Sequence, residues 1–238
     1  SFLMGLLIKW QEGGFENRDL AEVLDAFRIY CMRRRLLSIT AAENKVFPTL
    51  VNHIEELENS YDKRKKMFEI LANLESNARL PNDVELARYL ENSNFYNYQY
   101  SKFVFALIEE KITKSRPDIS DKILQIEHIM PQTLSEDWKK ELGPDCDTIL
   151  QEFGNTIGNL TLIRHNQELG NKSFEEKKKV YEERAGLQIA KNEITNQNKW
   201  DKNAIQHRTK WIIDYLLQNV LPIPDTMRKV NNFTINKK

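Results

Sequence analysis

The sequence predicts a mainly α-helical protein with a short two-stranded β hairpin between two helical blocks. Apolar residues recur with helical spacing over residues 1–115 and again over 200–221. Between these blocks, two short apolar runs, ILQI and LTLI, are bounded by Pro, Gly and Asn residues that favour turns. The change of pattern divides the chain into a helical domain at 1–115 and a second region at 116–238.

Six segments have the apolar spacing and the composition of amphipathic helices. They are residues 15–38, 45–58, 62–75, 82–92, 97–112 and 200–221. Asn17 is the predicted N-cap of the first segment, because its side-chain oxygen can accept a hydrogen bond from the first turn. The sequence LPND at 80–83 predicts a turn that opens the fourth segment.

Two residue groups in the first helical block have more than one interpretation. The basic cluster Arg33–Arg35 suits a solvated helix C-terminus, where cations complement the helix dipole, and it also suits contact with phosphate. An aromatic run fits either packing between helices or stacking on nucleic-acid bases, and its spacing favours packing. Its members are Phe95, Tyr96, Tyr98, Tyr100 and Phe103.

The middle of the chain has the order strand, loop, strand, helix. Residues 123–126 form the first predicted strand, which runs into a loop with the sequence EHIMPQ. The segment GNTIGNLTLIRHN at 154–166 predicts a tight turn followed by the second strand. A helix follows at 169–184, with Asn171 or Ser173 as its cap. Polar side chains are therefore concentrated where the two strands turn.

Composition limits the function classes. The chain has 238 residues, of which 40% are hydrophobic and 29% charged, an ordinary balance for a globular protein. Lys plus Arg equals Asp plus Glu at 35 each, so the formal net charge is zero. This balance removes any whole-chain argument for nucleic-acid binding and leaves only a local basic face.

Cysteine usage and the apolar start of the chain predict a cytoplasmic protein without a membrane partner. Cys31 and Cys146 lie far apart and outside any zinc-binding spacing, so we expect reduced thiols and no zinc. The segment FLMGLLIKW is too short to cross a bilayer and lacks the features of a signal peptide. Ser1 in place of Met predicts a piece of a longer protein.

Polar residues at the strand ends form a candidate catalytic set. Its members are Glu127, His128, Asn159, Asn166 and Asn171. Carboxylate and amide oxygens are ligands that a hard divalent cation prefers. A neutral imidazole accepts a proton from a water that attacks phosphorus, while the metal ion stabilises charge on the phosphoryl oxygens. The set therefore predicts metal-assisted phosphodiester hydrolysis.

Three segments in this order, IEHIMPQ, IGNLTLIRHN and LGNKSFEEKK, resemble the HNH (ββα-metal) nuclease motif. More narrowly, they resemble the C-terminal nuclease domain of GmrSD-type modification-dependent restriction endonucleases. The segments YCMRRRLL, LPNDVELARYLENSNFYN and WDKNAIQHRTKWI are also similar to this family, so the resemblance extends from about residue 20 to 220. It implies an embedded ββα-metal (HNH) element with its core at about 122–184. The region 116–238 is then the nuclease region with its C-terminal helices.

The resemblance assigns roles to the candidate residues. His128 takes the position of the general base, and Glu127 falls where many HNH enzymes have a metal-binding Asp. Asn159 matches the middle Asn, which holds the loop of the catalytic His. The final motif position, a metal ligand on the helix, matches Asn166 by distance, with Asn171 as the competitor. The residues expected to contact DNA are Arg164, His165, Lys172 and Lys177.

Each candidate also has an ordinary interpretation. Taken alone, His128 is typical of a packed core histidine, Asn159 of a turn residue, and Lys177 of a solvated helix face. The order of the motifs and their strand, strand and helix context favour the functional interpretation. A further group fits support of the site, DNA binding or packing equally well. Its members are Trp138, Arg164, Arg184 and Arg208.

The resemblance implies a DNA endonuclease that depends on Mg²⁺, Mn²⁺ or another divalent cation and nicks double-stranded DNA. It further implies the effector part of a bacterial anti-phage protein that restricts modified DNA. The expected partner is an N-terminal ParB-like nucleotide-hydrolysing sensor domain, which we expect to be absent from this chain. The chain contains no phosphate-binding GxxxxGK[ST] motif. Two alternatives stay open: a non-catalytic nucleic-acid-binding or assembly module, and an RNase that uses the same motif.

Overall fold

The computed structural model describes residues 1–40, 43–164 and 169–228, and for residues 43–45 the backbone alone. Helices account for 60% of the structure, and the described residues form one small antiparallel sheet. The mainly helical architecture predicted from the sequence is confirmed.

The chain forms two compact units. The first consists of Ser1–Leu86 with Leu221–Lys238, and the second of Ala87–Val220. Residue 115, the predicted end of the helical domain, lies within the second unit. None of the helices in the described residues is both long and apolar enough to cross a membrane.

The elements follow one another along the chain with short connections. The first six helices are α1 (Phe2–Gln11), α2 (Asn17–Leu36), α3 (Glu43–Val51), α4 (Ile54–Glu58), α5 (Lys63–Ala72) and α6 (Asp83–Asn92). Next come α7 (Ser101–Thr113), β1 (Leu124–His128), α8 (Glu136–Leu142), α9 (Cys146–Phe153), β2 (Leu160–Arg164), α10 (Phe174–Arg184), α11 (Lys202–Tyr215) and α12 (Asp225–Arg228). Short 3₁₀ turns lie at Ser76–Ala78, Ile157–Asn159 and Gln188–Ala190, and π-helix continues α11 over Leu216–Val220.

The core of the first unit forms between α2 and α5. Val23, Phe27 and Tyr30 recur on one face of α2, and Phe68 and Leu71 are buried on α5. Three- and four-residue spacing places each set on a single helix face, so both helices bury an apolar stripe. The periodicity that predicted these helices therefore reflects their packing.

The N-cap predicted at Asn17 is wrong. Glu16 occupies the N-cap position, and Asn17 is the first residue of α2. The Asn17 side-chain oxygen accepts a hydrogen bond of 2.8 Å from the indole N–H of Trp10. Because a tertiary donor takes up this oxygen, it does not cap the helix.

The basic cluster at the end of α2 has a structural role that neither sequence interpretation anticipated. Arg33 is fully buried and donates to the carbonyl of Leu221 at 2.6 Å, to the carbonyl of Pro81 at 3.0 Å and to Asp83 at 2.6 Å. Arg34 is also buried and donates to the carbonyl of Asn77. Carbonyls outside regular structure need donors, and a guanidinium supplies several in a fixed fork.

Helix boundaries differ from the predicted ones at several positions. The segment predicted as one helix at 45–58 forms α3 and α4, with a turn between them. The helix predicted at 97–112 starts only at Ser101, so Tyr96 and Tyr98 lie in the turns that precede α7. The two residues therefore precede the helix, although Tyr98 still packs against the buried Phe95 with ring centroids 5.6 Å apart.

The two predicted strands pair as expected but are not joined by a tight hairpin. β1 and β2 run antiparallel, with Leu124 opposite Arg164 and His128 opposite Leu160. Residues 129–159 connect them and contain α8 and α9. These two helices are too short to produce a clear apolar period in the sequence.

Of the two predicted caps for the helix after β2, Ser173 is the one that the structure has. Ser173 accepts a hydrogen bond from the backbone N–H of Glu176, and the Glu176 carboxylate accepts one from the backbone N–H of Ser173. This capping box fixes the start of α10 at Phe174. Phe174 then packs at 5.4 Å between ring centroids against Trp200, in a buried cluster that also contains Trp138 and Ile163.

The buried position of Arg33 yields a prediction about stability. Replacing Arg33 by Met removes the donors to two buried carbonyls and the partner of Asp83, so we expect the free energy of unfolding to fall by about 3 kcal/mol. Urea denaturation followed by circular dichroism measures this change. The control is Arg18→Met in the same helix, where the side chain is 84% exposed and a loss below about 0.5 kcal/mol is expected. Equal losses for both variants would contradict the structural role of Arg33.

Candidate active site

The candidate site lies at the end of β1, where the strand meets the turn that precedes β2. Glu127 and His128 are the last two residues of β1 and pair with Thr161 and Leu160 on β2. Successive side chains of a strand point to opposite faces, so these two residues meet different neighbours. Glu127 contacts α10, and His128 contacts the turn after α9.

Glu127 forms a buried ion pair with Lys177 of α10. The Lys177 ammonium lies 2.7 Å from Glu127 Oε1 and 2.7 Å from the backbone oxygen of His128. Lys177 is 0% exposed, and this burial lowers the pKa of its ammonium against the opposing effect of the Glu127 charge. A lysine that contacts DNA phosphates has to reach solvent. The position observed for Lys177 differs from the exposed helix face expected from the sequence.

His128 is nearly buried, and two neighbours fix its ring. Its Nε2 lies 2.9 Å from Oδ1 of Asn155, and the centroid of its ring lies 4.4 Å from that of Tyr96. Burial lowers the pKa of His128, the positive charge of Lys177 acts in the same direction, and the hydrogen bond to Asn155 opposes them. The net effect favours the neutral imidazole, which is the form that accepts a proton.

Asn159 is fully buried and holds the loop that follows His128. Its Oδ1 accepts hydrogen bonds from the Met130 backbone N–H at 2.8 Å and from the Trp200 indole at 3.0 Å. Its Nδ2 donates to the carbonyls of Met130 at 2.9 Å and Gly154 at 2.8 Å. These four bonds use the full hydrogen-bonding capacity of the amide. The geometry suits the loop-holding role that the resemblance assigns to Asn159, not contact with a substrate.

The other predicted site residues lie in different environments. Asn171 and Lys172 are exposed between β2 and α10. Arg164 ends β2 and pairs with Asp121 at 2.8 Å. His165 and Asn166, a predicted DNA contact and a predicted catalytic metal ligand, lie outside the described residues. Asn166 and Asn171 therefore both remain predicted metal ligands on the helix side.

An open cavity of about 430 Å³ lies against the candidate residues. Residues from five segments line it: Tyr96, Gln125–His128, Pro131–Thr133, Gly170 with Asn171, and Lys177 of α10. Its wall thus combines a carboxylate, an imidazole, several amides and one aromatic ring. A segment of nucleic-acid backbone is a ligand that such a polar wall suits.

The cavity wall carries oxygen donors of the type that a magnesium-type ion prefers. The described residues contain no group of three or more His, Cys, Asp or Glu side chains that could hold a metal ion. Mg²⁺ does not need three such side chains, because one carboxylate together with amide, water and substrate-phosphate oxygens can complete its coordination. Glu127 and Asn171 are the corresponding donors. An ion at Glu127 competes with the Lys177 ammonium for this carboxylate.

Sequence reasoning missed two residues of the site, Asn155 and Tyr96. Asn155 lies in the turn predicted at 154–166, but its sequence context did not distinguish it from an ordinary turn residue. In the sequence, Tyr96 stands out only as a member of the aromatic run. Both residues contact His128 from segments that are far away along the chain, so no local sequence pattern predicts these contacts.

A comparison with known protein families identifies the group to which the chain is related. Residues 80–215, more than half of the chain, match the family described as GmrSD restriction endonucleases, C-terminal domain. The chain belongs to this family. The GmrSD resemblance proposed from the sequence is thereby confirmed. Membership implies a restriction endonuclease effector with nuclease activity and with DNA as its substrate. A search among curated proteins found no match.

The matched residues of this GmrSD domain include the complete candidate site. Tyr96, β1, the Asn159 turn, β2 and α10 all lie within 80–215, whereas α1 to α5 precede it. The site thus lies within the stretch that the family model matches and not in the helices at the N-terminal end.

The Glu127–Lys177 pair yields a second stability prediction. Replacing Lys177 by Met leaves a buried carboxylate without its cation, so we expect the free energy of unfolding to fall by about 3 kcal/mol. The double variant Glu127→Gln/Lys177→Met should recover at least about 1 kcal/mol of that loss, because the remaining partner is uncharged. Urea denaturation of both variants measures the difference.

The matched control is Lys179→Met, which makes the same change at an exposed position of α10. A loss below about 0.5 kcal/mol is expected there. If Lys177→Met is no more destabilising than this control, Lys177 does not neutralise Glu127 in the folded protein.

Proposed function

We propose that this GmrSD domain is an HNH endonuclease that hydrolyses phosphodiester bonds of double-stranded DNA with the help of a divalent cation. The observation that carries the proposal is the state of His128 beside Glu127 on one open cavity. Its Nε2 is bound to Asn155, and its Nδ1 makes no hydrogen bond with any described residue. A neutral imidazole with one nitrogen oriented and the other available is equipped to act as a general base.

The order of elements supports an HNH assignment. β1 carries the base at its end, β2 pairs with it, and α10 follows with Lys177 directed at Glu127. This is the succession of two strands and a helix that the ββα-metal motif uses. Asn159 then positions the loop after the base by its four hydrogen bonds and takes no part in the chemistry itself.

The reaction consumes one water molecule. The water oxygen forms a bond to phosphorus while one of its protons passes to the lone pair of His128. The bond from phosphorus to the leaving sugar oxygen breaks, and its electron pair remains on that oxygen, which takes a proton from solvent. The imidazolium then returns its proton to solvent, so the products are a phosphate monoester and an alcohol.

A divalent cation, Mg²⁺ or Mn²⁺, supplies Lewis-acid stabilisation of the charge on the phosphoryl and leaving oxygens. Glu127 would hold it together with Asn171 or Asn166, with water and substrate phosphate as further ligands. A single site of this kind cuts one strand at a time. Nicking is therefore the expected product on duplex DNA.

We assign contact with the duplex to the predicted basic residues. Lys172 is exposed directly beside Asn171. Arg164 lies opposite Leu124, at the other end of β1 from His128, and His165 is the next residue. The formal net charge of zero provides little general attraction for DNA. We therefore assign target recognition, including phage DNA with modified bases, to a ParB-like sensor domain that acts together with this effector in the cytoplasm.

One observation favours a second candidate function. The Glu127 carboxylate is already neutralised by a buried ammonium, as in a purely structural ion pair. This ion pair favours a non-catalytic assembly or nucleic-acid-binding module. The two functions differ in whether the chain cleaves DNA at all.

Cleavage of supercoiled plasmid tests the proposal. We expect the chain to produce open-circular DNA with Mg²⁺ or Mn²⁺ and none with EDTA. Replacing His128 by Ala should lower the cleavage rate at least about 100-fold, because it removes the general base. The products are quantified on agarose gels over time.

The matched control is His207→Ala, since His207 lies on α11 with a side chain that is 63% exposed. Its cleavage rate should equal that of the wild type. Absence of nicking under every metal condition, or equal rates for His128→Ala and wild type, would refute the nuclease assignment. An RNA substrate in parallel decides whether the activity is that of an RNase.

A further inference from the structure

Asn155 connects three parts of the candidate site. Its side-chain Oδ1 lies 2.9 Å from Nε2 of His128. Its backbone oxygen accepts hydrogen bonds from the N–H groups of Phe95 at 2.8 Å and Tyr96 at 3.3 Å. The segment fixed in this way places the Tyr96 ring 4.4 Å from the imidazole, centroid to centroid. One residue thus contacts an edge of the imidazole and also holds the segment whose tyrosine ring packs against it.

The turn that carries Asn155 is rigid. The Phe153 carbonyl accepts hydrogen bonds from the N–H of Thr156 at 3.1 Å and from its hydroxyl at 2.8 Å. The Gly154 carbonyl accepts one from the Asn159 amide at 2.8 Å, and the Thr156 carbonyl accepts one from the Asn159 N–H at 3.1 Å. With its backbone held on both sides, Asn155 presents its amide from a fixed position. Fixed supporting groups are what precise orientation of a base requires.

The far side of the same turn is fastened to α11. Arg208 donates to the carbonyl of Gly158 at 2.8 Å and to that of Leu160 at 2.6 Å. A Cβ atom at Gly158 would lie 2.4 Å from the carbonyl oxygen of Ile205, so only glycine permits this close approach. The position of Asn155 is therefore set by the fold on each side of the turn.

We propose that Asn155 is a positioning residue for His128 and selects Nδ1 as the nitrogen that accepts the proton. An amide oxygen facing Nε2 requires the hydrogen on that nitrogen and leaves the lone pair on Nδ1. Nδ1 makes no hydrogen bond with any described residue, so none of these residues takes up its lone pair. The Tyr96 ring restricts rotation of the imidazole out of this orientation. The inference rests on the proposed function of His128 as the general base.

Two measurements on the complete chain test the inference. With ¹⁵N-labelled histidine, the neutral imidazole of His128 should show a protonated Nε2 and an unprotonated Nδ1, and only four histidines need assignment. In Asn155→Ala the two tautomers should be mixed. In plasmid cleavage the same variant should lose about 10- to 100-fold in kcat with KM within about twofold, because the base is misoriented and DNA binding is retained.

Two further variants separate orientation from general stability. Asn155→Asp keeps an oxygen acceptor of the same size, so its neutral imidazole should keep the wild-type tautomer. Asn219→Ala removes an exposed amide in the same unit and should change neither measurement. Circular dichroism verifies that each variant is folded. An Asp variant with the mixed tautomers expected of the Ala variant would overturn the inference.

The remaining outcomes distinguish this inference from the proposed function. If Asn155→Ala keeps the wild-type tautomer and kcat while His128→Ala is inactive, the inference fails and the nuclease assignment stands. If the wild type does not cleave DNA, the nuclease assignment fails and proton transfer through Nδ1 fails with it. The tautomer measurement then still decides whether Asn155 orients the ring.

Discussion

Four hydrogen bonds from the buried amide of Asn159 fix the end of β1 against the turn that leads into β2. Met130 follows the strand end, Gly154 follows α9, and Trp200 belongs to the buried cluster that also contains Phe174. A single side chain thus joins three segments that are distant in sequence. Because an amide has two donor hydrogens and two acceptor lone pairs, no further partner is needed for a fully satisfied buried group. The positions of His128 and Asn155 both depend on this junction.

Two buried charged side chains, Arg208 and Glu109, bind backbone groups near the same turn. Arg208 lies on α11 and donates hydrogen bonds to the carbonyls of Gly158, Leu160 and Ile189. Burial lowers the pKa of its guanidinium to about 9, so the group is still protonated at neutral pH. The buried Glu109 accepts hydrogen bonds from the N–H groups of Gln188 and Ile189. A carboxylate and a guanidinium thus act on opposite sides of the backbone at Ile189. In a region of low dielectric, such charges are stable only when every polar group finds a partner.

This use of charge affects how the domain can bind DNA. In the part of the chain that the structure describes, more cations than acids are buried: the cations are Arg33, Arg34, Lys177 and Arg208, and the acids are Glu109 and Glu127. Several of the basic residues that stand out in the sequence therefore hold backbone carbonyls or a carboxylate in place. The chain as a whole has no net charge and so exerts no general attraction on phosphates. Affinity for DNA has to come from a local arrangement of exposed basic side chains near the cavity.

The sequence by itself determined the features that depend on neighbours along the chain. The apolar period of α2 and α5, the Ser173 cap of α10 and the two short strands follow from contacts within a few residues. The motif order was equally local, and it led to the correct family. It also placed Glu127 and His128 together at the end of a strand.

Only the tertiary structure decided which partners these residues have. Asn155 reaches His128 across 27 positions and Lys177 reaches Glu127 across 50, so no sequence window contains either contact. The interpretation of Lys177 and of Arg33 as exposed cations failed for the same reason. Lysine and arginine are buried only where acceptors converge on them, and that convergence is a property of the folded chain.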